Sequence, residues 1–250
     1  MLKEERQQLI LQKLHQDGKV LALELSQDLN VSEDTIRRDL RDLAEMGQVQ
    51  RVHGGALLRS PVSPDYSARR NEAVPAKIEI ARAALPLLRD GQVIFMDGGT
   101  TTLQIAQCLP ANLNATIVTN SPPIAVALAE YPEVEVILIG GQLYKKALAT
   151  VGAVAIEAFR SIRADICLLG ICSLHPETGI TVFNYEEAQV KKAMIASAAE
   201  VVAVAAAEKL NTAAPYIVGP LSDLTHLVTE RNTPEEYLKP FHKLGVTIIT

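Results

Sequence analysis

Two groups of side chains in this sequence have the types and spacing to do chemistry. The first is Ser32-Glu33-Asp34-Thr35-Ile36-Arg37-Arg38-Asp39-Leu40, with Arg41 directly after it. At the helical turn per residue, Ile36, Leu40 and Leu43 fall within an arc of about 60°, while Arg37, Arg38 and Arg41 fall within a separate arc of about 100°. One face packs, and the other offers guanidinium groups that can bond a guanine edge bidentately or hold phosphates. Ser32 can cap such a helix by accepting a backbone N–H from its first turn. The turn Arg51-Val52-His53-Gly54-Gly55 follows closely and can lie beside the helix as a wing. A charged face is also the ordinary solvated side of a helix. What favours nucleic acid is the setting: the third helix of a compact unit, capped, with a basic turn beside it.

The second group is Asp97-Gly98-Gly99-Thr100-Thr101-Thr102, between the apolar run Val93–Met96 and the helical pattern of Leu103, Ile105, Ala106 and Leu109. Glycines let the backbone approach a ligand, threonine hydroxyls donate to oxygens, and a helix N-terminus presents free N–H groups. The chemistry suits a phosphate, although glycine at such turns also serves geometry alone. Neither GxxxxGK[ST] nor GxGxxG is present, which argues against ATP and NAD; no cofactor is expected. Thr119-Asn120 and Gly140-Gly141 follow other apolar runs, where open α/β sheets bind ligands. Glu187 and Lys191 lie one helical turn apart and by themselves read as a surface pair worth tenths of a kcal/mol. Lys209 follows a further apolar run and carries no signal alone.

The elements that must hold these groups differ on either side of a Pro-containing stretch. Residues 1–57 read as short helices and a turn: Lys3 to His15 with Ile10 and Leu14 on one face and Gly18 as a stop, then Leu21 to Leu29, then the helix capped by Ser32. Residues 58–75, with Pro61, Pro64 and Pro75 and few large apolar side chains, read as a linker. Residues 76–250 alternate helical segments with the runs Val93–Met96, Thr116–Val118, Val134–Ile139, Ile166–Ile171, Val201–Ala205, His226–Thr229 and Val246–Ile249. That alternation predicts a mostly parallel α/β sheet.

Composition narrows the function classes. Among 250 residues, 24 Lys and Arg face 29 Asp and Glu, a net charge of −5, which excludes a histone-like coat for nucleic acid but not a small basic patch. Aromatics are 4% with no Trp, too few for a binder that stacks bases on exposed rings. No run approaches a membrane span and the start lacks a secretory core, so a cytoplasmic protein without membrane contact is expected. Cys108, Cys167 and Cys172 sit singly, without CxxC spacing, and read as small apolar side chains. The histidines are scattered, so no metal site is expected.

These residues resemble the DeoR-type bacterial transcriptional regulators. The resemblance rests on Arg6, Ile10 and Leu14, on the ungapped Ser32–Leu40 run, and on Arg51-Val52-His53-Gly54-Gly55-Ala56 at the position of that family's wing. It implies a small N-terminal winged helix-turn-helix domain plus a larger α/β effector domain resembling ribose-5-phosphate isomerase. It assigns DNA contact to Ser32, Thr35, Arg37, Arg38, Arg41, Arg51 and His53. Asp39 is expected to orient an arginine or the helix packing, because a carboxylate beside phosphate is repulsive.

In the larger domain the family's Asp-x-Gly-Thr-Thr loop, Thr-Asn, Gly-Gly, Glu before a Val-Lys helix and late Lys fall on residues of this chain. They are Asp97, Gly98, Gly99, Thr100 and Thr101 with Thr102 beside them, Thr119 and Asn120, Gly140 with Gly141, Glu187 before Val190-Lys191, and Lys209. By resemblance they bind a phosphorylated sugar or sugar derivative, with Asp97 and Glu187 facing hydroxyls and Lys191 or Lys209 neutralising charge. Two departures stand out: Ala206-Ala207-Glu208-Lys209 replaces Asp-x-Ser-Lys, which removes one polar contact and predicts an unusual effector, and Thr229-Glu230 replaces Thr-Asp.

The related isomerases place an acidic run after a central strand, whereas Leu169-Gly170-Ile171-Cys172-Ser173 has no carboxylate, so an enzyme is not expected. The function implied is a repressor of carbohydrate-metabolism genes that binds double-stranded operator DNA as a homo-oligomer, dimer or tetramer, and is released by the effector. An activator of the same architecture is the first alternative, and a sugar-phosphate isomerase-like enzyme the second. Residues 1–60 hold nine Lys and Arg against ten Asp and Glu. The DNA-binding module is therefore not basic in total, and placement must do what net charge does not.

Overall fold

A computed structural model describes residues 1–61 and 65–250. The N-terminal head comprises α1 (Lys3–Asp17), β1 (Lys19–Leu21), α2 (Ala22–Asp28), α3 (Glu33–Glu45), β2 (Val49–Val52) and β3 (Gly55–Arg59). Ile36, Leu40 and Leu43 of α3 are buried against Ile10 and Leu14 of α1 and Leu25 of α2, so the arc read from the sequence is the packing face. Burial of each such side chain is worth roughly 1.5–3 kcal/mol. One charged pair lies within this core: Arg6 Nε donates to Asp39 Oδ2 at 2.5 Å and Arg6 Nη2 to Oδ1 at 3.2 Å, tying α1 to α3. That bidentate bond raises the Arg6 pKa above its ordinary value against the effect of burial. Asp39 thus orients an arginine. At Gly55 a Cβ would stand 1.9 Å from the Val20 carbonyl oxygen, so only glycine lets β3 pair with β1.

The larger domain continues with α4 (Tyr66–Asn71), α5 (Val74–Ala84), β4 (Val93–Met96), α6 (Thr100–Gln107), β5 (Ala115–Thr119), α7 (Pro122–Leu128), β6 (Val134–Leu138), β7 (Gln142–Tyr144), β8 (Ala149–Val151), α8 (Ala153–Arg160), β9 (Ala164–Gly170), β10 (Ser173–His175), β11 (Gly179–Val182), α9 (Tyr185–Ala196), β12 (Ala198–Val204), β13 (Thr212–Ala213), β14 (Tyr216–Gly219), β15 (His226–Val228), α10 (Glu235–Lys243) and β16 (Thr247–Ile249). The seven apolar runs of the sequence are the strands of one parallel sheet, in the order β16-β15-β12-β9-β4-β5-β6. Both faces are covered, as parallel sheets require. Along β9, Cys167 and Leu169 enter one apolar layer while Ile166 and Leu168 enter the other. Shorter antiparallel pieces, β7 with β8 and β11 with β10 and β14, flank it and have no counterpart among the apolar runs of the sequence.

The stretch 58–75 differs from a free linker. It opens inside β3, and β13 of the larger domain pairs parallel with that strand at Leu58 and Arg59, extending the head's sheet. Ser60 continues the junction, its N–H bonding Ala213 O at 3.2 Å and its hydroxyl Cys172 O at 2.6 Å. Tyr66 of α4 is buried in the larger domain's core. Pro75 does not interrupt structure but starts α5, where its missing N–H costs nothing. Pro64 lies outside the described residues. Of the cysteines only Cys167 is fully buried; Cys108 and Cys172 are partly exposed.

Candidate functional site

At the head, Ser32 caps α3: its Oγ accepts the Thr35 N–H at 3.2 Å and lies 2.8 Å from the Thr35 hydroxyl. The arginine face is exposed, and two of its guanidinium groups are held by acids one turn back. Arg37 donates to Glu33 at 2.7 and 3.1 Å, and Arg38 lies 2.7 Å from Asp34. Exposed i,i+4 pairs are worth about 0.3–0.5 kcal/mol, so phosphates can displace them at little cost. Among the described residues Arg41 has no acidic partner. A cleft of about 270 Å³ between α3 and the β2–β3 hairpin brings Arg37, Arg51, His53 and Gly54 together. Arg38, Arg41, Ser32 and Thr35 do not line it and stand along the helix.

The second site forms where β4, β5, β9 and β12 end. Its centre is a buried cluster: the Lys191 ammonium of α9 is bonded to Asp97 Oδ2, donates to Gly170 O at 2.9 Å and lies 3.7 Å from Glu187. Asp97 Oδ2 also accepts the Gly170 N–H at 3.0 Å, fixing the turn after β9. The pair at Glu187 and Lys191 is therefore not a surface pair, since Lys191 is 1% exposed. Burial would lower the Lys191 pKa, but Asp97 and Glu187 outweigh it and hold the ammonium charged. Asp97, fully buried, and Glu187, at the edge of the cluster, share one ammonium, and burial pushes both carboxyls up despite that pairing.

Around this cluster most expected residues hold the loop rather than face outward. Asn120 accepts the Gly98 N–H at 3.2 Å and donates to Thr150 O at 2.9 Å. The Thr119 hydroxyl donates to Met96 O at 2.6 Å. Thr102 donates to Asp97 O at 2.7 Å. A Cβ at Gly98 would meet Ala149 at 2.6 Å, so that glycine permits close packing of the loop on β8. Gly141 packs against the Val151 carbonyl at the start of the β7–β8 hairpin, and no bond connects it to the cluster. What remains for a ligand is the first turn of α6 behind Gly99. There Thr100 and Thr101 make no side-chain hydrogen bond among the described residues.

Lys209 completes the site. It is 8% exposed, and among the described residues its ammonium has no hydrogen bond or ion pair. Burial lowers its pKa, with Cys172 and Glu208 opposing that and Arg69 adding to it. Glu230, which stands where the family has Asp, accepts the Ala207 N–H at 2.8 Å and so fixes the short turn that carries Lys209. Ala206 is buried and Glu208 points outward. Burial pushes the neighbouring Cys172 thiol up to about 11, so it is uncharged at neutral pH.

Sequence reasoning missed the cations supplied from outside the motifs. Arg69 of α4 donates to Lys146 O at 3.1 Å, and Lys77 of α5, itself buried, bonds the carbonyls of Arg69 and Glu72. Burial lowers the Lys77 pKa, with Lys209 adding to the effect. Both lie in or next to the supposed linker, and only the basic pair Arg69-Arg70 hinted at them. Among the described residues no group of His, Cys, Asp and Glu could hold a metal ion. No described helix is long and apolar enough to cross a membrane.

Comparison with known proteins covers the whole chain. Residues 6–62 match the DeoR-like helix-turn-helix domain and residues 72–231 the DeoR C terminal sensor domain. The chain is 34% identical over 251 residues to the HTH-type transcriptional regulator GlpR of Haloferax volcanii, across 100% of this chain and 98% of that protein. It is 31% identical over 226 residues to the glycerol-3-phosphate regulon repressor of Escherichia coli, across 90% of each. Among solved structures, ribose 5-phosphate isomerase A of Methanocaldococcus jannaschii matches with a TM-score of 0.38 and 18% identity, over 53% of this chain and 52% of that one.

Proposed function

The chain belongs to the DeoR family of transcriptional regulators, and on that premise we propose that it represses carbohydrate-metabolism genes and is released from double-stranded operator DNA by a phosphorylated sugar or sugar derivative. The observation that carries the effector half is Lys209, a buried ammonium without an anionic partner among the described residues, next to Arg69 and an α6 N-terminus lined by Thr100 and Thr101. A buried unpaired charge is costly, and a bound anion removes that cost. Glu187 and Asp97 supply acceptors for sugar hydroxyls, as far as their bonds to Lys191 leave lone pairs free. Repression has its support in the relative that carries it in its name.

The head reads DNA through α3 and the wing. Few cations face the cleft, so each head contributes few phosphate contacts, and useful affinity requires a symmetric dimer or tetramer on repeated half-sites. Binding operator DNA places the protein in the cytoplasm. A thermal-shift screen of phosphorylated and free sugars tests the effector half. At a hundred times its Kd, a specific ligand adds about 2.7 kcal/mol of stability. Stabilisation by free sugars but not by phosphorylated ones would overturn the phosphate reading.

A further inference from the structure

A cavity of about 600 Å³ lies between the two domains. Its walls include Gly47 and Arg59 of the head, Arg69 of α4, and Tyr144, Cys172 and Glu187 of the larger domain. A space of this size accommodates one small organic molecule. Glu187 and Cys172 connect it to the strand-end cluster, because Glu187 lies 3.7 Å from Lys191 and the Cys172 thiol is close enough to feel the Lys209 charge. Cationic groups reach the cavity from both sides. Arg59 ends the wing strand β3, its guanidinium stands 5.5 Å from the Phe183 ring, and among the described residues no carboxylate pairs with it.

The same strand is bonded to the sensor. Ala213 and Thr212 of β13 pair with Arg59 and Leu58, and Thr212 Oγ1 donates to Lys209 O at 2.8 Å. At its other end β3 carries Gly55, opposite Val52 at the tip that forms the DNA cleft. Arg59 and the DNA-facing tip are thus separated by one short strand, about 13 Å at the usual rise per residue.

We propose that the effector binds across this inter-domain cavity, with Arg59 of the head as one of its anion-binding groups, so that the DNA-binding domain forms one wall of the sensor site. This rests on the effector reading above and specifies its ligand: a sugar phosphate that meets cations from both domains at once. An effector held in this way restricts β3 directly, and β3 sets the position of the wing relative to α3. Operator DNA and effector then compete for the placement of one strand, and their affinities fall reciprocally.

The test measures Kd by calorimetry for fructose 1-phosphate, glucose 6-phosphate and glycerol 3-phosphate on the full chain, as wild type, Arg59→Gln, Arg59→Lys and the exposed-surface control Arg160→Gln. Whichever compound binds the wild type is expected to bind Arg59→Gln at least tenfold more weakly, to recover part of the loss in Arg59→Lys, and to bind Arg160→Gln unchanged. Hydrogen exchange on the wild type should also slow at Leu57–Arg59 when that compound is added. Unchanged affinity in Arg59→Gln, with no protection of β3, overturns the shared site and leaves the effector reading standing. If Arg59→Gln is unfolded, the Arg59→Lys affinity and the wild-type protection decide. If neither these three nor any other phosphorylated sugar of the thermal-shift screen binds the wild type, the effector premise falls and the proposal with it.

Discussion

Replacing Lys191 with Met should be among the most damaging single changes in the larger domain. The ammonium is 1% exposed and is shared by Asp97, Glu187 and the Gly170 carbonyl. Methionine is unbranched and nearly as long, but it leaves the buried Asp97 and the half-buried Glu187 without a cation. Breaking a buried pair from one side costs about 3–5 kcal/mol. At roughly 2–4 °C per kcal/mol for a chain of this size, Tm should fall by about 6–20 °C. The pH dependence has a definite sign. Without the ammonium, Asp97, whose pKa burial already raises, moves further above its unfolded value. A carboxyl with a raised folded pKa binds its proton more readily in the folded state, so the deficit is smaller at acidic than at alkaline pH. Adding Asp97→Asn should recover much of the loss, since the amide oxygen still accepts the Gly170 N–H and one buried charge is gone. Urea denaturation of the two single variants and the double variant gives the coupling directly. A loss below about 1 kcal/mol for Lys191→Met, or strictly additive effects, would refute the buried-cluster reasoning.

Further consequences follow at both sites. Arg38→Ala should weaken operator binding and reduce the salt slope by about 0.9 without altering effector-induced stabilisation, as measured by anisotropy titrations at several salt concentrations. Thr101→Ala should do the converse, and both effects together in either variant would contradict the assignment. Gly55→Ala forces a carbon to within 1.9 Å of the Val20 oxygen, so it should abolish DNA binding and, because Arg59 lies on the same strand, weaken the thermal shift with effector as well. Burial lowers the Lys209 pKa. A phosphorylated effector favours the ammonium, so affinity should fall as pH rises through that depressed pKa, with proton uptake on binding over that same pH range. Calorimetry in buffers of unlike ionisation enthalpy checks this, and heats independent of buffer would oppose it.

The inner strands of the large sheet were legible because burial on both faces makes each a continuous apolar run, whereas the edge strands β6 and β16 are apolar in sequence though partly exposed. The recognition helix was legible for the opposite reason, since its two faces differ sharply and Ser32 marks its start. The two- to four-residue strands β7, β8, β10, β11, β13 and β14 left no such signal, because pairing with distant partners defines them. β13 matters most: its pairing with β3 turns an apparent linker into a docked junction, and no periodicity in two residues announces that. At the effector site the motif residues were found, but their roles shifted. Thr119 and Asn120 must satisfy buried backbone groups, so their hydrogen bonds hold the loop, and Lys191 is held by Asp97. Arg59, Arg69 and Lys77 were missed because only the fold brings Arg69 and Lys77 near Lys209 and puts Arg59 at the wall of the inter-domain cavity.

If one chain couples operator DNA to a phosphorylated sugar, its affinity for DNA must depend on that sugar. Duplexes selected from a random pool by the full chain provide the DNA, and the thermal-shift screen provides the sugar phosphate that binds. The decisive measurement is the DNA Kd with and without a saturating concentration of that compound. Coupling of the two sites predicts a rise of about 5- to 150-fold, the usual range of allosteric coupling. An unchanged DNA Kd, with the compound demonstrably bound, would contradict it.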